Sequence, residues 1–201
     1  MLNTHNQRQF STVSSNQIYN TQSITLTKIG ELNDRQIFYT NVRVDLHWFE
    51  KLPSSNWLAF TIADDADQEL LNETTIKCLD SNVLYTCSAG QLGSDTEDYF
   101  DSEIVLRQVQ IEERTGKPQN YDISPMTTFH KNFGEGFWFA TTVANATVYD
   151  EYIPIDDVVC IDMTQQGVKN YLLELINKIQ NGWLPSDNET KDIKYDNDLK
   201  K

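Results

Sequence analysis

From Trp57 onward the chain alternates short apolar runs with stretches of helical period, and few architectures accommodate that alternation. The runs are "WLAFTIA" (57–63), "VLYTCSA" (83–89), "MTTFH" (126–130) and "VVCIDM" (158–163). Short apolar strands separated by helices are the signature of β-α units around a mostly parallel sheet, because a parallel pair needs a long crossover and the crossover helix covers the strand faces. The expected fold is therefore α/β, a three-layer Rossmann-like domain with a mostly parallel sheet flanked by helices and a β-rich N-terminal extension.

The helical segments carry their own signals. In "DQELLNETTIKCLDSN" Leu71, Thr75, Cys78 and Leu79 share a face, and Asn82 stands where a helix-ending residue belongs. A second helix opens at Ser94 with Glu97 three residues later, the capping-box spacing. In "NFGEGFWFATTVANA" Phe133, Phe137, Ala140 and Ala144 recur at helical spacing, although "FWFATTV" alone has equally good β propensity. Adjacent helical positions diverge by about 100°, so one of Trp138 and Phe139 is expected at the surface. The clearest amphipathic helix is "QGVKNYLLELINKIQNG", whose Val168, Tyr171, Leu172, Leu175, Ile176 and Ile179 form one stripe stopped by Gly182.

Before this core, "SITLTKIG" and "RQIFYTNVRV" flank the polar turn "ELNDR" and read as a hairpin or edge strands, followed by an aromatic plug in "LHWFEKLP". Residues 1–17 are polar and without period, and residues 184–201 are charged, so a flexible arm and tail are expected around one domain over 18–183, divided into the 18–56 extension and a 57–183 core.

Charge excludes some functions. A net −14 opposes phosphate backbones and anionic lipids, so neither nucleic acid nor membrane is an expected partner, whereas a basic protein is. Three cysteines without C-x-x-C spacing suit a reducing compartment better than a disulfide framework or zinc site, and three histidines are too few for a His-rich metal centre. With no basic-then-apolar leader and no membrane-length apolar run, a cytoplasmic location is expected. No cofactor or metal is implied, and oligomeric state is not encoded in any pattern of the sequence.

The set "FTIADDADQELL", "LYTCSAG" with "EDYFD", "PMTTFH", "GFWFATTVANA" and "VVCIDM" resembles an uncharacterised family of small bacterial α/β proteins, a domain of unknown function. The likeness spans 57–183 and implies a helix for the "FWFATTV" segment. It brings no activity, cofactor or catalytic residue.

Ligands of a parallel sheet sit beyond the strand C-termini, where helix N-termini converge. That edge is expected to gather Asp64, Asp65 and Asp67, then Cys87 and Ser88, then Thr127, Thr128 and His130, and finally Asp162 and Thr164. Asp65-x-Asp67 after an apolar strand resembles the aspartate pair of haloacid-dehalogenase-like phosphatases, in which two such carboxylates hold magnesium and attack phosphate. The likeness departs at Glu69, where that family has Thr or Val, and Asp156-Asp157 precedes a strand instead of ending one. The simpler reading makes Asp64 or Asp65 the cap of a helix beginning near Ala66. Cys87 with His130 is the other reactive pairing, against the commoner use of both as core groups. "CSAGQLGSD" matches neither G-x-G-x-x-G nor a P-loop, and no Lys or Arg lies between Leu79 and Ile104, so a dinucleotide finds little support.

The leading expectation is a non-enzymatic acidic bacterial module that binds a protein or small ligand at the sheet's C-terminal edge, by analogy in microbial conflict. The alternative is a hydrolase, magnesium-dependent through Asp65 and Asp67 or of Cys-His type.

Overall fold

The computed structural model describes residues 26–118 and 124–185. The expected arm, and the tail beyond residue 185, lie outside the described residues.

Two strands, β1 (Thr27–Leu32) and β2 (Arg35–Asn41), form an antiparallel hairpin. Its two-residue turn, Asn33-Asp34, takes positive φ at both positions (50° and 64°), the type I′ geometry whose twist matches the flanking strands. A 3₁₀ turn at Trp48–Lys51 follows and buries Trp48, while Lys77 lies 4.0 Å over the Phe49 ring, which is the aromatic plug. The core then runs β3 (Trp57–Ile62), α1 (Gln68–Asp80), β4 (Tyr85–Ala89), α2 (Gly93–Thr115), β5 (Met126–His130), α3 (Phe133–Thr142), the short hairpin β6 (Ala146–Val148) and β7 (Glu151–Ile153), β8 (Asp157–Asp162) and α4 (Lys169–Gln180).

This is a mixed α/β protein whose six-stranded sheet has the order β1-β2-β8-β3-β4-β5, with β1 alone antiparallel. The sequence set 18–56 apart as an extension. Instead β2 pairs with β8 from Gln36↔Asp157 to Asn41↔Asp162, inside the same sheet. Buried strand residues alternate between two apolar clusters. Leu58, Phe60, Ile62, Cys87 and Val158 meet Phe133, Phe137 and Leu172 of α3 and α4. Trp57, Ala59, Val159 and Ile161 meet Leu71, Cys78 and Phe100 of α1 and α2. β3 is buried at every position, which is why its sequence is continuously apolar.

Helix ends follow local chemistry, with two differences from the sequence reading. Asp67, not Asp64 or Asp65, caps α1, its Oδ1 accepting the Leu70 N–H at 2.9 Å. A cap must accept from a donor two or three positions on, and only Asp67 stands that far before the first helical turn. At α2 the helix starts at Gly93, so Ser94 lies inside it and no side chain caps its N-terminus, which replaces the expected Ser94–Glu97 box. Gly93 packs 3.4 Å from the Ser88 carbonyl by its would-be Cβ, and this close return from β4 sets the start. The other ends agree with sequence: Asn82 (φ 56°) and Gly182 (φ 84°) each close a Schellman motif, with Val83 N–H on Cys78 O and Trp183 N–H on Lys178 O. α3 is helical, as the resemblance implied, but Trp138 and Phe139 are both half-buried, because Phe139 stacks on His130 and Tyr85.

Arg35 is buried with no carboxylate partner among the described residues and donates to the Ala140 and Ala144 carbonyls at 2.7 and 2.5 Å. A cation there answers the negative end of α3 and ties the hairpin to the core.

Candidate functional site

Crossovers place α1 and α2 against one apolar cluster and α3 and α4 against the other, so the chain leaves β3 and its neighbour β8 in opposite directions. The crevice beyond their carboxyl ends is where such sheets bind ligands. Here Arg43, from the β2–β3 connection, spans it. Its Nε donates to Met163 O at 2.7 Å, and its Nη2 reaches Asp65 O at 3.3 Å and the Asp65 carboxylate at 3.6 Å. The chain's own guanidinium thus bridges the two loops.

The three acids after β3 are also engaged. Asp64 Oδ1 accepts the Gln91 N–H at 3.0 Å and locks the β3 loop to the β4 loop, Asp65 faces Arg43, and Asp67 caps α1. Gly90 enables the Asp64 contact: at φ 98° a Cβ would sit 2.4 Å from Ala63 O. No group of three or more His, Cys, Asp or Glu among the described residues has metal-binding geometry.

Asp162 is fully buried and accepts four hydrogen bonds: from Tyr39 Oη (2.6 Å) and Val168 N (2.8 Å) on Oδ2, and from Thr164 N (2.8 Å) and Thr164 Oγ1 (2.7 Å) on Oδ1. These fold the loop between β8 and α4. Burial, and then the bond to Asp162, push the Tyr39 hydroxyl pKa well above its usual range.

The remaining candidates divide between the faces of the sheet. Ser88 is buried and bonds Thr61 Oγ1 at 2.9 Å on the side of α1 and α2. Thr127 donates to Asp101 Oδ1 at 2.6 Å, and Thr128 to the Thr86 carbonyl at 3.4 Å. Cys87 faces α3, its thiol donating to Gly136 O at 3.5 Å, and complete burial pushes its pKa up to about 12. His130 lies against the same helix, its ring 4.8 Å from that of Phe139 and its Nδ1 3.7 Å from Glu135. Burial, only partly offset by Glu135, lowers the His130 pKa, and Nε2 has no hydrogen-bond partner among the described residues. The common pocket of Asp65, Ser88, Thr128 and Asp162 expected from sequence does not form, because strand alternation sends Ser88 to one side of the sheet and Thr128 and Asp162 to the other.

The open space lies one strand over. A cavity of about 370 Å³ sits at the carboxyl ends of β2 and β8, with Tyr39, Asn41 and Asp45 on one wall and Gln165, Gln166 and Lys169 on the other. The amides of Gln165, Gln166 and neighbouring Asn170 make no hydrogen bond among the described residues, and Lys169 Nζ lies 5.9 Å from the Tyr39 ring centroid. Gly167 (φ 74°) brings the backbone against this wall, its would-be Cβ 3.4 Å from Tyr39 Oη. Sequence reading missed β2's share because it set that strand outside the core. The available signal was "IFYTNV", apolar on both alternating faces as an interior strand is.

No helix among the described residues is long and apolar enough to cross a membrane. Neither a curated protein nor a solved structure matches this chain. One family model does match, over residues 37–179, and it takes in β2 and the 3₁₀ turn, which the likeness read from sequence left outside. On that match the chain belongs to the family described as a domain of unknown function, DUF7684.

Proposed function

We propose that this is a three-layer, Rossmann-like binding module that takes a small polar ligand at the C-terminal edge of its sheet, in the corner between β2 and β8. The observation that carries this reading is the 370 Å³ cavity with its uncommitted amides, beside Lys169 at the start of α4. Its size is at the lower end for ligand sites. Amides that both donate and accept suit a ligand with alternating polar groups, and Lys169 with the α4 N-terminus suits an anionic end. Hydrolysis has less support. The Cys87 thiol is sealed and protonated at neutral pH, and Asp65 and Asp67 are held by Arg43 and by the α1 backbone.

The test is a thermal-shift panel of amino acids, nucleosides and small carboxylates on the full chain. A ligand at about a hundredfold its Kd should raise Tm by about 5–10 °C, and Lys169→Ala with Asn170→Ala should remove that rise. A panel with no effect, or a double variant that keeps the shift, would reject the site.

A second reading, a basic protein partner, draws on the open edge of the sheet. β5 carries no acidic or basic residue before His130 and exposes Met126 and Phe129, whereas the other edge, β1, is protected by Lys28, Glu31 and an irregular register between Lys28 and Gly30. Asp101 of α2 bonds β5 directly, and Glu97 is pushed to a higher pKa by burial and by Asp101 and Asp98, so these acids make the field there negative. An alternating Lys-Val peptide should bind in calorimetry, weaken as salt is added, and fail with Phe129→Lys. Binding indifferent to both changes would remove this reading.

A further inference from the structure

A second cavity, of about 360 Å³, opens at the opposite, amino edge of the sheet. The end of α1 (Leu79), the residues just before β4 and β5 (Val83, Leu84 and Pro125) and one stripe of α2 bound it. On that stripe Ile104, Gln108 and Ile111 follow helical spacing beside Arg107, so one carboxamide and one guanidinium interrupt an otherwise apolar wall.

Gln108 is only 8% exposed. Its Nε2 donates to Ser124 Oγ at 2.5 Å, which fixes the plane of the carboxamide, and its Oε1 is buried without a hydrogen-bond partner among the described residues. A buried acceptor left unmade is costly, and the bond to Ser124 uses only the other end of the carboxamide. Two other polar side chains of the lining are engaged. Arg107 is held by Asp80 at 2.9 Å and Glu103 at 2.8 Å, and Asn82 donates to Ser54 O. The cavity therefore offers a mainly apolar surface, with Gln108 Oε1 as its buried acceptor left unpaired among the described residues and its one guanidinium held in ion pairs.

We infer that this cavity is a binding site for a neutral, mainly apolar small molecule carrying one hydrogen-bond donor, which it presents to Gln108 Oε1. The apolar walls supply affinity by burial, and the single acceptor sets orientation and selects against isosteres that lack the donor. The site stands apart from the corner between β2 and β8 and does not depend on what binds there.

Indole and benzofuran have nearly the same shape and differ in that only indole has an N–H, which makes them suitable probes. In amide-resolved NMR titrations of the full chain, indole should give saturable shifts at Val83, Ile104 and Ile111 and bind about fivefold tighter than benzofuran. Gln108→Leu should abolish that preference while both probes still bind. Ile104→Trp, which fills the space, should eliminate the shifts with the rest of the spectrum kept, so the proposal stays testable if the first variant folds poorly. It is overturned if no saturable shifts occur at these positions, if the native protein binds both probes equally, or if Ile104→Trp leaves binding intact.

Discussion

Asp162→Ala is expected to destabilise the protein by about 3–5 kcal/mol, read as a lower urea midpoint at unchanged m. The carboxylate is fully buried, and it receives the Tyr39 hydroxyl, the Thr164 hydroxyl and two backbone N–H groups. Alanine would leave those donors without an acceptor, each at about 1–3 kcal/mol, and the total stays below the simple sum because the β8–α4 loop can open toward water. Tyr39→Phe removes one donor and should cost about 1 kcal/mol. Because the two residues share a hydrogen bond, their double variant should be less destabilised than the sum of the singles. If Asp162→Ala lost under 1 kcal/mol, the loop would not depend on this latch, and the placement of Gln165, Gln166 and Lys169 around the proposed ligand would lose its basis.

Phe60→Ala should cost about 3–5 kcal/mol and lower Tm by about 8–15 °C in a thermal melt. Phe60 is completely buried at the middle of β3, with its ring 5.4 Å from Phe133 and 5.5 Å from Phe137, both tilted toward edge-to-face. Collapse cannot fill the resulting void easily. Gly136 approaches because it lacks a Cβ, which would stand 2.9 Å from His130 Cβ and 3.5 Å from Phe60 Cε2, so no side chain from α3 can swing into the space. Phe60→Leu keeps most of the volume and should lose much less. A small effect of Phe60→Ala would mean that α3 moves onto the sheet, contrary to the tight contact at Gly136.

The residues of both reactive pairings weighed from sequence meet neighbours that spacing does not foresee. Spacing along a chain says which groups end a strand but not which face they take or who meets them. Asp65 and Asp67 do follow β3, yet one reaches Arg43, twenty-two residues earlier, and the other turns back to its own helix. Cys87 and His130 both lie against α3, but a thiol inside β4 is cut off from water by the helix that covers it.

What the sequence by itself determined is what neighbouring residues control: the four core strands, the helices between them, the turn at Asn33-Asp34 and the stops at Asn82 and Gly182. These depend on side-chain period, on left-handed backbone tolerated by Asn and Gly, and on helix-end hydrogen bonds, all within a few residues. The hairpin β6–β7 escaped because its turn, Tyr149-Asp150, takes positive φ without the Gly or Asn that signals it. Only the tertiary structure decided that β8 inserts between β2 and β3. That insertion brings Tyr39 to Asp162 across 123 residues, lays Arg43 over the β3–β8 crevice and moves the open cavity one strand aside. Strand order is set by which crossovers can cover both sheet faces at once, a property of the whole packed chain that no local pattern carries.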